Sequence, residues 1–414
     1  MTMQTPRFQG GRNVGLTLAA IQLFFTLTWT VYVIFLPQLA AQVGIAKEAV
    51  LLILLMDQLI FLVADTAMGV AADRSVRVFG RLGRWVVSVT LLSCFAFLLL
   101  PFVATGGPAA QWLFLAFTVA WSITSSALRA PPLVLLGKYA ALHTFPVLAG
   151  LSFFGMGVAG AVAPYLTVAL RGVDPRWPFV LPSVALALAT FGIIWAERSL
   201  RQGAAAVDSA ASVEAAHIEA LGKKPPTVPF LIAMALLGLG FQVHFSLNTA
   251  AQYLRFAQAA QLEFLMPVFW VGFSLLMLAA GKLVARFGSV GVMGVAGCVG
   301  AVATWLTALA GSLELLVAAQ FVAGGAWGIL MMSAFTSALV IGRTGREGLV
   351  TGSMFSLLAL AAFVRIGIVA VQLNKDASFA PVFVWLPTAA WVIAGLVLLA
   401  MARWLRGQPL TSST

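Results

Sequence analysis

The sequence predicts an all-α membrane protein with about twelve transmembrane helices in two pseudo-symmetric six-helix bundles. Three observations predict it. Of 414 residues, 61% are hydrophobic and 9% charged, with a mean hydropathy of +1.02, whereas a soluble domain carries about 25% charged residues. Apolar runs of about twenty residues recur from end to end, each long enough to cross about 30 Å of hydrocarbon as a helix. One long polar stretch divides these runs into two sets of six, and a related short motif follows the second run of each set. In hydrocarbon every backbone N–H and C=O needs a partner within the chain, so helix is the expected material throughout.

The first thirteen residues are polar and include Arg7 and Arg12. No small-residue cleavage site follows, so the first run, 14 to 39, reads as a retained span rather than a leader. Its Gln22, Thr26 and Trp29 give it a mildly polar face. The second span, 47 to 72, holds Asp57 near its middle and Asp65 about two turns from its end, at i, i+8 on one face. An acid there costs about 2.5 kcal/mol or more. It is either a coupling site that binds and releases H⁺ or coordinates Na⁺, or half of a permanent pair with an arginine. The third span runs from 85 to 104. In the fourth, 110 to 137, Trp121, Ser125 and Arg129 share a face at i, i+4, i+8, and Pro131-Pro132 should kink the helix. An aromatic ring, a hydroxyl and a fixed cation together suit a carboxylate or sugar hydroxyls, and a salt bridge from Arg129 to Asp65 or Asp57 is compatible with that use. The fifth span, 145 to 170, carries Gly155, Gly157, Gly160 and Ala163-Pro164, small residues that favour close helix packing. The sixth runs from 178 to 196.

The segment from Glu197 to Val228 is rich in Ala and Ser, contains Arg198, Arg201, Lys223 and Lys224, and ends in Pro225-Pro226. It reads as a cytoplasmic linker, 197–228, between an N-terminal bundle, 1–196, and a C-terminal bundle, 229–414. In the seventh span, 229 to 253, His244, Asn248 and Gln252 form a polar column at i, i+4, i+8 beside Phe241 and Phe245, a second candidate surface for a polar ligand. The spans that follow are 262 to 285, 290 to 310, the glycine-rich 313 to 341 with Trp327, 348 to 373 with Arg365, and 379 to 404 with Trp391. Trp327 reads as a cavity stacker and Trp391 as an interfacial or lipid-facing residue. Arg365 reads as a possible ion-pair partner within an otherwise apolar run.

With the N-terminus inside, about 17 Lys and Arg fall in cytoplasmic segments and about 5 outside, which places both termini in the cytoplasm. The +11 formal charge lies in short loops rather than on one amphipathic face or tail, so it is a topology signal and not a nucleic-acid surface. Cys94 and Cys298 sit inside apolar runs, which gives no support to a disulfide or a metal site. No phosphate-binding loop, His-Glu-x-x-His or nucleophile elbow occurs. ATP-driven transport and hydrolysis therefore lack their parts, and no cofactor or enzymatic activity is expected.

The motif after the second span is Gly69-Val70-Ala71-Ala72-Asp73-Arg74, and its counterpart in the second half is Gly281-Lys282-Leu283-Val284-Ala285-Arg286-Phe287-Gly288, without the acid. With the six-plus-six layout and the central linker, it resembles the major facilitator superfamily, whose Gly-x-x-x-Asp-Arg-x-x-Gly-Arg-type loop joins the second and third helices. The resemblance implies two bundles rocking about a central cavity lined mainly by the first, fourth, seventh and tenth helices. It also implies a gate latch at Gly69, Asp73, Arg74 and Arg77. Asp73-Arg74 followed by Phe79-Gly80-Arg81, with Asp65-Thr66-Ala67-Met68-Gly69 and Arg346-Glu347-Gly348 with Gly352, is similar to the glycoside-pentoside-hexuronide cation symporters and sucrose carriers. Thr66 stands where those carriers have proline, and Ala359 where they have a lysine.

Read together, the residues predict a secondary active transporter for a small polar solute, a glycoside or an organic acid, coupled to H⁺ in first place and Na⁺ in second. The coupling candidates are Asp65 and Asp57. The runner-up, from the glycine-rich fifth span, is a proton-coupled antiporter exporting amphipathic compounds, and an alternative of another class is a non-transporting receptor or assembly factor. A monomer in a bacterial cytoplasmic membrane, contacting lipid and solute, is the expected setting.

Overall fold

The computed structural model describes residues 9–79, 82–140, 144–205, 226–342 and 345–406. Among them are twelve helical spans long and apolar enough to cross a membrane, and no strand. They are α1 (Gly11–Gln42), α2 (Lys47–Ser75), α3 (Gly83–Ala104), α4 (Gly107–Tyr139), α5 (Phe145–Ala169), α6 (Arg176–Gln202), α7 (Thr227–Tyr253), α8 (Ala259–Val284), α9 (Ser289–Leu309), α10 (Leu313–Gly342), α11 (Glu347–Ala370) and α12 (Ala380–Leu405).

Packing repeats at an offset of six. In the first bundle α1 packs on α5 and α6, α3 on α4 and α6, and α2 on α4; in the second α7 packs on α11 and α12, α9 on α10 and α12, and α8 on α10. The contacts between bundles obey the same rule, since α2 on α11 and α8 on α5 exchange under that offset. Without a hydrophobic drive inside lipid, helices associate where small residues let backbones meet. Gly155 of α5 faces the backbone of Ala19 in α1, and Gly69 of α2 faces the backbone of Gly348 in α11, so closely that neither site has room for a Cβ.

Several helices outrun their apolar segments. The α6 helix continues through Glu197, Arg198 and Arg201 into a stretch expected to be linker, because Glu, Arg, Gln and Ala favour helix once solvated. Glu197 uses that extension: its carboxylate accepts hydrogen bonds from Leu82 N at 2.8 Å and Gly83 N at 3.0 Å, capping the α3 N-terminus. The rest of the expected linker, 206–225, lies outside the described residues.

Two spans are interrupted. In α4 the α-helix ends at Ser125, a 3₁₀ turn spans Ser126–Leu128, and helix resumes at Pro131–Tyr139. Pro131 and Pro132 cannot donate to the carbonyls of Ala127 and Leu128, which explains the break at the expected kink. In α7 the residues His244–Asn248 form a π-helical turn. This widening carries Asn248 and Gln252 off the straight column expected from i, i+4, i+8 spacing.

A candidate substrate cavity with a paired acid and arginine

Between the bundles lies a cavity of about 250 Å³. Its walls come from α1, α2, α4 and α5 on one side and α7, α8, α10 and α11 on the other, and eight of the eighteen lining residues are aromatic, including Trp29, Phe61, Phe153, Phe241, Trp270 and Trp327. Polar groups are few. Of the sequence candidates, Gln22, Thr26, Trp29, Arg129 and Arg365 reach it, as does Trp327.

The break in α4 builds the floor. Leu128 O, which would bond to the missing N–H of Pro132, instead accepts a hydrogen bond from Gln22 Nε2 at 3.2 Å. The 3₁₀ turn also rotates the next residue off the expected face. Trp121 is buried and stacks on Trp29 at 5.9 Å, and Ser125 Oγ donates to Ser122 O at 3.0 Å, so neither lines the cavity. Arg129 does.

Arg129 Nη1 donates to Asp65 Oδ2 at 2.6 Å. The arginine side chain is 20% exposed and the carboxylate 0%, so the cation touches the cavity and the acid sits behind it. Asp65 Oδ1 is buried outside regular hydrogen-bond geometry, with the equally buried and unpartnered Ser126 hydroxyl as its neighbour. The guanidinium lies over a ring from each bundle, 4.7 Å from the centre of Phe61 in the first and 5.4 Å from that of Phe355 in the second. Cation–π contact with both bundles holds it at their interface. Next to the acid, Thr66 Oγ1 lies 2.8 Å from Ser356 Oγ of α11.

Asp57, eight residues away on α2, has different company. It accepts hydrogen bonds from Tyr32 Oη at 2.8 Å and Ser122 Oγ at 2.7 Å, is fully buried, and has no basic partner among the described residues. It is not on the cavity wall.

The α7 candidates turn into the second bundle. His244 Nε2 is 3.0 Å from Gln320 Oε1 on α10, and Gln320 Nε2 donates to Thr249 Oγ1 and Gln252 Oε1, both at 3.2 Å. Asn248 Nδ2 donates to Phe383 O at 2.8 Å. His244 and Gln252 thus join one network on α10, Asn248 is held separately by α12, and none of the three lines the cavity. Gln320, a single amide in an apolar run, is its unanticipated hub. Tyr32 and Ser122 were likewise missed as the partners of Asp57. Trp391, expected at an interface or facing lipid, is fully buried and stacks on Trp327 at 5.9 Å; Gly240 and Gly300 leave space for its indole.

At the end of the molecule carrying the α2–α3 loop the bundles are latched. Asp73 accepts hydrogen bonds from Gly348 N at 2.8 Å and Leu349 N at 2.9 Å, the first free donors of α11, where the helix dipole favours a carboxylate. Arg74 is exposed, and the side chain of Arg77 lies outside the described residues.

The sequence profile of the Major Facilitator Superfamily matches residues 18–364. The chain belongs to that superfamily. It is therefore an integral membrane protein with a transporter fold and twelve candidate spans among the described residues. No curated protein matches the sequence. Among solved structures, the human organic anion transporter MFSD10 (TETRAN) is 16% identical, with 95% of this chain and 100% of that chain covered at a TM-score of 0.69. A bacterial homologue of the iron transporter ferroportin, in an outward-facing state, is 14% identical, with 94% and 99% covered at a TM-score of 0.68. At these identities the likeness shows the superfamily fold alone.

Proposed function

We propose that this superfamily member is an H⁺-coupled secondary transporter carrying a small organic acid by alternating access. Asp65 is the proton site and Arg129 the group through which solute and proton communicate. The observation that carries the reading is the Asp65–Arg129 pair at the cavity floor. The pair is neutral as it stands. A solute carboxylate or sulfonate that engages Arg129 draws it from Asp65, and a buried carboxylate without its cation costs several kcal/mol, a cost that proton uptake removes. Solute binding and protonation thereby favour each other, which is the linkage a symporter needs.

An organic acid is favoured over a glycoside because twelve of the eighteen lining residues are apolar, eight of them aromatic, and of the three lining amides, Gln22, Gln58 and Gln242, the first is engaged with Leu128 O. The fold neighbour described as an organic anion transporter supports the same class. H⁺ is favoured over Na⁺ because the unpartnered oxygens at the site are Asp65 Oδ1 and Ser126 Oγ, fewer than the shell of oxygen ligands that Na⁺ needs. Iron, the cargo in the other neighbour's description, has no support: among the described residues no group of three or more His, Cys, Asp and Glu is placed to hold a metal. A second reading, proton-coupled export of amphipathic compounds, is favoured by Met156 and Met331 among the aromatic walls, and uses the same pair in the reverse direction.

The test is uptake of naphthalene-2-sulfonate, an anion that crosses lipid poorly, by the full chain in proteoliposomes under an imposed pH gradient. Accumulation should follow the gradient in the wild type. Asp65→Asn should abolish that accumulation while leaving solute exchange at equal pH on both sides. Accumulation indifferent to the gradient, or intact in Asp65→Asn, would falsify the coupling role.

A further inference from the structure

Arg365 has no use in the scheme above. It lies on α11 and lines the same cavity, yet among the described residues it makes neither an ion pair nor a hydrogen bond, and its Nε is sealed from solvent without a partner. An arginine at a membrane position is retained at considerable cost, and one facing lipid near a helix end extends toward water instead. This side chain turns inward, into a wall whose other members on α11, Phe355, Leu358 and Ala362, are apolar. Arg129 in the same cavity has an acid; Arg365 has none.

We propose that Arg365 is the docking site for the anionic head of the solute, and that the solute class is an amphipathic organic monoanion with a flat aromatic body, such as an aryl sulfonate or aryl carboxylate. The assignment rests on the central cavity being the transport site. Charge balance selects one negative charge: Asp65 and Arg129 cancel, and Arg365 leaves the cavity with a single uncompensated cation. Length selects the docking point. Phe355, which touches Arg129, and Arg365 are ten residues apart on α11, about 15 Å along the axis. A two-ring solute is shorter than that rise, so a head group held at Arg365 leaves the Asp65–Arg129 pair intact. The aromatic wall supplies the body site. Phe241 and Trp327 lie parallel at 4.4 Å with a 4° interplanar angle, and Trp270 stands edge-on to Phe241 at 6.2 Å. Arg365 belongs to the second bundle and Arg129 to the first, so passing the head group between them as the bundles rock is the step that releases Asp65 to take its proton.

The experiment is calorimetric titration of the purified full chain in detergent with naphthalene-2-sulfonate and with the neutral 2-naphthalenemethanol, without any pH gradient. Wild type should bind the sulfonate about ten-fold or more tightly than the alcohol, as expected for a charge-assisted hydrogen bond. Arg365→Gln should erase that preference, and Arg365→Lys, which keeps the charge but not the fork, should keep part of it. Arg84→Gln, an exposed arginine outside the cavity, is the control for general charge loss and should change nothing. Wild type without a preference, or a preference that survives Arg365→Gln or is lost only in Arg129→Gln, overturns the assignment. If Arg365→Gln fails to fold, wild type and Arg365→Lys decide the matter: a preference absent from wild type, or undiminished in the lysine variant, counts against a guanidinium anchor. Because this measures binding at equilibrium, an Arg365-dependent preference without gradient-driven uptake refutes the coupling scheme and leaves the anchor standing, whereas coupled uptake unaffected by Arg365→Gln refutes the anchor alone.

Discussion

Two carboxylates on one helix, eight residues apart, have been given opposite surroundings. Asp65 has a guanidinium and one unpartnered oxygen, while Asp57 has two hydroxyl donors and no cation among the described residues. The first arrangement changes its energy when the arginine moves; the second depends on neighbours locked by the Trp29, Tyr32 and Trp121 ring cluster. Asp57 is thus expected to support the first bundle rather than the proton cycle. Replacing Tyr32 by Phe leaves one buried carboxylate oxygen without its donor and should cost about 1–3 kcal/mol, read as a lower midpoint in thermal unfolding of the detergent-solubilised protein. Gradient-driven uptake per folded molecule should be unchanged, and a loss of coupling in Tyr32→Phe would instead make Asp57 a second proton site. Sequence spacing placed both acids on one face of α2 and proposed an arginine partner, which is as far as one helix can reach. That Ser122 and Arg129 of α4 divide between them is a tertiary fact, set by a helix break whose rotation the sequence signals through Pro131-Pro132 but does not measure.

The same limit governs whole elements. Twelve apolar runs and their order are written in composition, because lipid demands a helix wherever the chain crosses it. Departures from regular helix are less legible. The double proline in α4 announced one, whereas the π-helical turn in α7 carries no comparable signature, and the expected column of His244, Asn248 and Gln252 dispersed into the packing of α10 and α12 as a result. Gln22 illustrates how a break is repaired from another helix: Gln22→Leu leaves Leu128 O unpaired at the cavity floor. That change should lower the unfolding midpoint and weaken solute binding together, since Arg129 hangs from the same turn. Pro132→Ala, which restores the missing donor, should draw α4 straighter and pull Arg129 from Asp65. Reduced proton-coupled uptake with retained or increased thermal stability is the expected reading, and unaltered coupling would show that the break is dispensable.

At the scale of the molecule, the bundles meet through two symmetry-related seams, α2 on α11 and α5 on α8. Both are lined by glycines: Gly69, Gly348 and Gly352 bring α2 and α11 to backbone distance, whereas Gly157 and Gly160 of α5 make room for the side chains of Phe273, Ser274 and Trp270 on α8. A sequence reader sees these glycines as packing signals without knowing whether they serve a bundle or the seam between bundles: Gly155 turned out to serve α1, two residues from Gly157, which serves α8. Thr66 and Ser356 face each other across the first seam with hydroxyls 2.8 Å apart. Cysteines at both positions, in a chain whose Cys94 and Cys298 are replaced by serine, should form a bridge that arrests transport, with dithiothreitol restoring it. Transport that continues through the oxidised pair would mean that this seam does not open in the cycle.

The Asp73 cap on α11 has a consequence for speed. Each passage through the cycle that parts α2 from α11 must release two hydrogen bonds to a carboxylate, worth about 1.5–3 kcal/mol each. If nothing compensates before the highest point is reached, that release slows opening by roughly a hundred-fold to twenty-thousand-fold. Asp73→Asn, which keeps the size of the side chain but weakens its hold, should therefore yield a carrier whose turnover is faster where opening of this seam limits the cycle, and whose resting population drifts toward the other side. The latch is in that sense a clock: the strength of two N–H···O contacts at the start of one helix helps set how many solutes pass in a second.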